Sequence, residues 1–167
     1  MKKYLALISA CLLFASTQSI ASDQSWKRTE KNYYKGFVNS TDSRFQAIVS
    51  AKGQETDKPY VGIQLVISSI DFCSDKDQSF EGSMLMTVND RKVSFITSCY
   101  ENKWLNIHPS TISGEEHIIK ELNHHRNKMV TFVIPYEDAP DTIFNLPTDN
   151  FSPIYNSIDK YVKEAIQ

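Results

Sequence analysis

The spacing of apolar positions takes three forms along the chain. Leu5 to Ala15 is an almost unbroken apolar run. From Phe45 to Leu146 the apolar residues come in short segments, rich in β-branched and aromatic side chains and bounded by polar turns. After Phe151 they recur at helical spacing. Each pattern implies different surroundings, because a strand repeats every two residues and a helix every 3.6.

The first run reads as an export signal. Lys2 and Lys3 supply a positive start, Ser16-Thr17-Gln18 turns polar, and Ser19-Ile20-Ala21 places small residues where a signal peptidase reads. Residues 1–21 are therefore expected to be a cleavable bacterial-type signal peptide, with Ser22 the mature N-terminus. Residues 22–167 are then one exported globular domain, in the periplasm or secreted. The apolar core is about eleven residues, well short of the roughly 20 that span a bilayer as a helix. No stable membrane insertion is expected after cleavage. Ile8-Ser9-Ala10-Cys11 resembles a lipoprotein processing site, but it would leave only Leu5 to Ala10 as apolar core, below the roughly 7–15 residues that export needs. Cleavage after Ala21 is the preferred reading.

The middle of the chain predicts strands. Phe45 to Ala51 alternates, Lys52 to Pro59 is a polar turn, and Tyr60 to Phe72 reads as one extended strand. Ser83 to Val88 and Lys92 to Cys99 flank Asn89-Asp90-Arg91, a hairpin turn by composition. Trp104 to His108 and Met129 to Tyr136 are further strands, with a short extended piece at Thr142 to Leu146. Ser22 to Asp42 reads as an irregular lead-in with room for a short strand or a helical turn.

Two helices follow from caps and periodicity. Ser113-Gly114-Glu115-Glu116 has the form of a capping box, so a helix is expected from Ser113 to about Asn127, burying Ile118, Ile119 and Leu122. A closing helix over Ser152 to Ile166 carries Phe151, Ile154, Tyr155, Ile158, Tyr161, Val162 and Ala165 as its stripe. Pro153 suits its first turn. Together these elements predict an α+β domain: an antiparallel or mixed sheet of about five to six strands with two helices packed on one face, and one disulfide.

The disulfide comes from counting. The chain has three cysteines; losing Cys11 with the signal leaves Cys73 and Cys99, an even pair suited to an oxidising compartment. A C-x-x-C redox motif is absent. Closing a loop of this length contributes roughly 3–4 kcal/mol by chain entropy. A meander from Tyr60 to Cys99 would hold the two cysteines about 10 Å apart across an intervening strand, so the segment after Phe72 must fold over the sheet end to bring them together.

Charge narrows the partners. The chain has 18 Lys+Arg and 20 Asp+Glu; without the signal's two lysines the mature part carries 16 basic and 20 acidic side chains, a net −4. A mildly acidic domain lacking a basic run is poorly suited to nucleic acid or an anionic membrane.

Candidate chemistry is sparse. His117, Glu121 and His124 fall on one side of a helix beside His125, and imidazole with carboxylate suits Zn²⁺, but H-E-x-x-H is missing. These histidines read as a solvated helix end, and neither a metal nor a cofactor is assigned. Ser157-Ile-Asp-Lys160 fits S-x-x-K without its S-D-N and K-T-G companions. No nucleophile elbow, P-loop or dinucleotide fingerprint occurs, so no catalytic residue is assigned. The acidic loop with Glu137, Asp138, Asp141 and Asp149, stiffened by Pro140 and Pro147 and carrying Ile143 and Phe144, is the candidate partner-binding segment. Its bland alternative is an edge strand with Phe144 and Leu146 turned inward.

These features favour a small non-enzymatic periplasmic protein that binds another protein with a basic surface, of the immunity or inhibitor kind or an envelope-assembly accessory. The competing class is a small periplasmic hydrolase whose site assembles only in three dimensions. N-terminal sequencing of the exported protein should begin at Ser22. A chain beginning at Met1, or lipidated at Cys11, would overturn the export reading.

Overall fold

The computed structural model describes residues 24–29, 32–53, 59–75 and 80–165; the predicted signal peptide lies outside them. The elements are β1 (Lys27–Thr29), β2 (Asn32–Asn39), β3 (Phe45–Lys52), β4 (Tyr60–Ser68), α1 (Ile70–Cys73), β5 (Glu81–Val88), β6 (Arg91–Tyr100), β7 (Trp104–Pro109), α2 (Ile112–Asn123), β8 (Met129–Ile134), β9 (Thr142–Pro147) and α3 (Phe151–Ala165). The strands form one sheet in the order β1-β2-β3-β4-β7-β6-β5-β8-β9, every pairing antiparallel.

The expected five to six strands and two helices are thus corrected to nine antiparallel strands and three helices. The lead-in, expected to be irregular with at most a short strand or helical turn, supplies both β1 and the eight-residue β2. Gly36 weakens the strand signal in β2, and it is needed there because a Cβ would overlap the Ile154 side chain of α3. The Tyr60–Phe72 segment stops being a strand at Ser68, and Ile70–Cys73 forms a helical turn.

The expected meander is also corrected, since β4 pairs with β7 and not with β5. The strand between the cysteines is therefore β7. α1 folds across its start, with the Ser69 N–H donating to Lys103 O, and brings Cys73 to a Cα–Cα distance of 5.6 Å from Cys99 in the disulfide. The Asn89-Asp90 hairpin turn forms between Val88 and Arg91, with Asn89 at φ 53°, a left-handed position asparagine tolerates.

Register places one apolar set on one face. Phe45, Ala47 and Val49 of β3 stand opposite Ile67, Leu65 and Ile63 of β4, and Leu65 faces Ile107 of β7. Met86 faces Val93, and Phe132 faces Phe144. These side chains form one core with Ile118 and Leu122 of α2 and Phe151, Ile154, Ile158 and Val162 of α3. This alternation, interrupted where Ser50 and Gly62 are buried as well, is what a sheet covered on one face requires.

The two ends of this sheet meet. Seven strand spacings separate β2 from β9 in the order, roughly 34 Å if the sheet were flat. Yet the Thr41 N–H after β2 donates to Asn145 O of β9 at 2.9 Å. Arg44 Nη2 donates to Ile143 O at 2.9 Å, and the Trp26 indole N–H to Pro147 O at 2.8 Å. The outward carbonyls of β9, at positions 143, 145 and 147, are thereby satisfied from the opposite end. Behind them Phe45 stacks on Phe144 at 3.9 Å, and Phe144 on Phe132 at 4.9 Å. Trp26, fully buried, meets Phe151 edge-on at 4.8 Å.

Phe144→Ala should cost about 3–5 kcal/mol of stability, the usual penalty for emptying a phenylalanine site in a core. Ile143→Ala, one residue away on the exposed side, should cost within about 0.5 kcal/mol. Urea unfolding of both variants checks this; equal losses would contradict the closure.

Candidate functional site

α2 begins two residues earlier than its Ser113 capping box implies. Thr111 is the N-cap, its Oγ1 accepting from the Gly114 N–H at 3.1 Å. Gly114 suits the tight approach of this turn to β6, since a Cβ would come within 2.8 Å of Val93 Cγ1. The helix ends at Asn123, not near Asn127, because the Asn127 side-chain amide folds back onto Glu121 O and Oε2.

With the N-cap at Thr111, Glu116 does not close the capping box expected of it, and Glu115 reaches across to β4. β7 runs along β4 only as far as Leu65, which leaves the Ile63 N–H beyond the ladder. Glu115 Oε1 accepts from it at 2.8 Å. Burial pushes the Glu115 carboxyl up, against the opposing effects of this bond and of Lys52. Burial pushes the Lys52 ammonium down, against the attraction of Glu115. Gly62 makes room, since a Cβ there would sit 2.6 Å from Lys52 Cδ and 2.8 Å from Glu115 Oε1.

Beside this pair lies a groove of about 760 Å³ between α2, α3 and the start of β4. Its walls follow helical spacing: Ile112, Glu115, Glu116, Ile119 and Lys120 from α2, and Tyr155, Asp159, Val162 and Lys163 from α3. Val61, Ile119, Tyr155 and Val162 give it an apolar floor. At its mouth Ile112 is 76% exposed and Tyr60 49%. Lys163 is tied to Asp159 at 2.6 Å and Glu115 faces Lys52, which leaves Glu116 and Lys120 as the remaining charges of the groove walls. Burial, then Asp159, pushes the Tyr155 hydroxyl up.

The residues singled out from sequence are placed as follows. Glu137, Asp138 and Asp141 are exposed on the β8–β9 connection, where Tyr136 and Ile143 are exposed as well. Asp141 Oδ1 accepts the Tyr136 N–H at 3.4 Å. Phe144 is 1% exposed, stacked between Phe45 and Phe132, so the apolar surface of this strand belongs to Ile143. Asp149 lies at the other end of β9, its carbonyl accepting the Trp26 N–H. The groove was not legible in the sequence, because its walls come from segments about 90 residues apart that carry no shared motif.

The histidines hold structure. His117 Nε2 lies 3.1 Å from Val88 O, and His124 and His125 stack on each other. Glu121 Oε2 accepts from Asn89 and Asn127. Among the described residues no three His, Cys, Asp or Glu converge as a metal-binding group. His108 meets Lys52 and Glu81, whose charges act on it in opposite directions; burial, the larger effect, lowers its proton affinity. Ser157 Oγ donates to Ile154 O and Lys160 pairs with Glu164, so the two are not aligned on each other. No helix among the described residues is long and apolar enough to cross a membrane.

Compared with protein-family models, characterised proteins and solved structures, the chain matches none.

Because the Glu115 carboxyl is raised in the fold, its stabilising contribution is full below its ordinary value of 4.5 and is lost as pH rises through its folded value. Glu115→Gln keeps an oxygen for the Ile63 N–H and stays neutral. Urea unfolding should show the variant more stable than the parent near neutral pH, with the difference closing below 4.5. A variant less stable near neutral pH would show that the carboxylate itself is favourable there.

Proposed function

We propose that the mature chain is a periplasmic binding protein without enzymatic activity, engaging another protein as an immunity or inhibitor protein does, or as an accessory of an envelope assembly. The observation that carries this reading is the α2–α3 groove, which pairs an apolar floor with two large apolar side chains, Ile112 and Tyr60, held at the surface. Anchors of this kind, set in a partly desolvated pocket, dominate the energetics of protein interfaces. The apolar floor and the exposed Ile112 and Tyr60 favour an apolar partner segment. The exposed Glu137, Asp138 and Asp141 would steer the same partner at longer range. A hydrolase reading gains less, since the half-buried carboxylate of the groove, Glu115, already accepts the Ile63 N–H.

Affinity capture from envelope extract tests this with the mature protein and its Ile112→Glu variant. The parent should retain one stoichiometric basic partner and the variant should lose it, with unchanged thermal unfolding. Alanine at Glu137, Asp138 and Asp141 should slow association and flatten its salt dependence. No partner at any salt concentration, or equal capture by Ile112→Glu, would sink the proposal.

A further inference from the structure

The face of the sheet turned away from the core carries a second concave surface. A shallow groove of about 420 Å³ crosses β2, β3, β4, β7 and β6. Register explains its floor: Gln46 stands opposite Val66 and Val66 opposite Asn106, while Ile48 stands opposite Gln64. One end is closed by Trp104 and Tyr100, paired across β7 and β6. We propose that this groove binds a glycan chain bearing carboxylate groups, with Trp104 as the stacking surface and Gln64 and Asn106 as the hydroxyl readers.

The first argument is the state of the amides. Asn89, Asn127, Asn145 and Asn150 each hydrogen-bond within the protein through their side chains. Gln64 and Asn106 are half-buried as well, yet neither side chain has a hydrogen-bond partner among the described residues. Each amide offers donors and an acceptor at fixed separation. A sugar hydroxyl also donates and accepts, so a ring edge laid along the row can satisfy both amides at once.

The second argument is the mixed surface. A pyranose ring has an apolar face of C–H bonds and a polar rim. The groove supplies both counterparts: an indole at one end, Ile48 and Val66 beneath, and amides between them. A few placed polar groups in an otherwise apolar concavity are what orient a small ligand.

Charge selects among glycans. No carboxylate is among the lining residues, and Glu101, which accepts from the Tyr100 hydroxyl at the aromatic end, is outnumbered by two lysines. Lys35 stands on its β2 side, exposed and without an ion-pair partner among the described residues. Lys103 Nζ lies 4.9 Å from the centroid of the Trp104 ring. Two cations flanking a strip of amides complement a chain that alternates hydroxyls with carboxylates. The site lies on the face opposite the core and does not depend on the α2–α3 groove.

The chain has two tryptophans, and Trp26 is fully buried at the sheet junction, so a fluorescence change on ligand addition reports Trp104. The mature, disulfide-bonded protein is titrated with a short oligogalacturonate and with a neutral maltooligosaccharide of equal length, by fluorescence and calorimetry. The uronide should bind and shift the Trp104 emission. A Gln64→Ala/Asn106→Ala double variant should bind about tenfold more weakly at unchanged thermal stability. Lys35→Glu should remove the preference for uronide over neutral sugar. Absence of binding to either sugar, or undiminished binding by the double variant, overturns the site. Equal affinity for both sugars in the parent overturns its selectivity for carboxylates.

Discussion

The fold depends on joining the two ends of its sheet. A nine-stranded antiparallel sheet with one apolar face has two problems: an edge at each end, and more apolar surface than two amphipathic helices can cover if it lies flat. Coiling solves both. It brings β9 against the turn between β2 and β3, where its carbonyls are capped by Thr41, Arg44 and Trp26, and an edge so capped no longer templates pairing with another chain. It also narrows the inner face until α2 and α3 suffice. The turn that supplies Thr41 and Arg44 is itself held by Asp42. Burial opposes ionisation of that carboxyl, but bonds from Ser40 and Arg44 outweigh it and hold it below its ordinary value.

What could be read from the sequence followed how local the signal was. The Asn89-Asp90 turn, the strands beside it and the apolar stripe of the last helix depend on neighbours within a few residues, and they appear within a residue or two of expectation. β2 failed because Gly36 answers to Ile154, 118 positions away, and a glycine in a strand reads as a break until that contact is known. The N-cap of α2 is Thr111 rather than Ser113 because Thr111 Oγ1 takes the Gly114 N–H, and the bond from Glu115 to the Ile63 N–H depends on where β7 leaves β4, which no local pattern records. The order of β4, β7 and β6 likewise could not be read, since a meander and this crossover share one alternation pattern.

The surfaces divide the same way. Phe144 looked like an anchor for a partner because it sits among acids in the sequence. It is an anchor, but for the protein's own sheet, and it leaves the exposed position to Ile143. The α2–α3 groove lies where the two helices meet the start of β4. Neither helix announces the groove, since Ile112, Ile119, Tyr155 and Val162 merely extend their apolar stripes. A stripe wider than the core consumes is the physical trace of a docking surface, but width becomes meaningful only once the core is known.

The disulfide links the fold to the outer face. Cys73 reaches Cys99 only because α1 crosses the start of β7, where its Sγ lies 3.7 Å from the carbonyl of Trp104. The bond therefore clamps the end of the sheet from which Trp104 and Tyr100 project, while β4 holds the other side of the same strand through Ser68. A loop closed by 26 residues of separation contributes about 3–4 kcal/mol by chain entropy, enough to keep this corner from fraying independently of the core. The bond, which only an oxidising environment sustains, thus does more than close a loop. It sets the rigidity of the aromatic end of the outer groove, while the opposite end, at Lys35, rests on strand pairing alone.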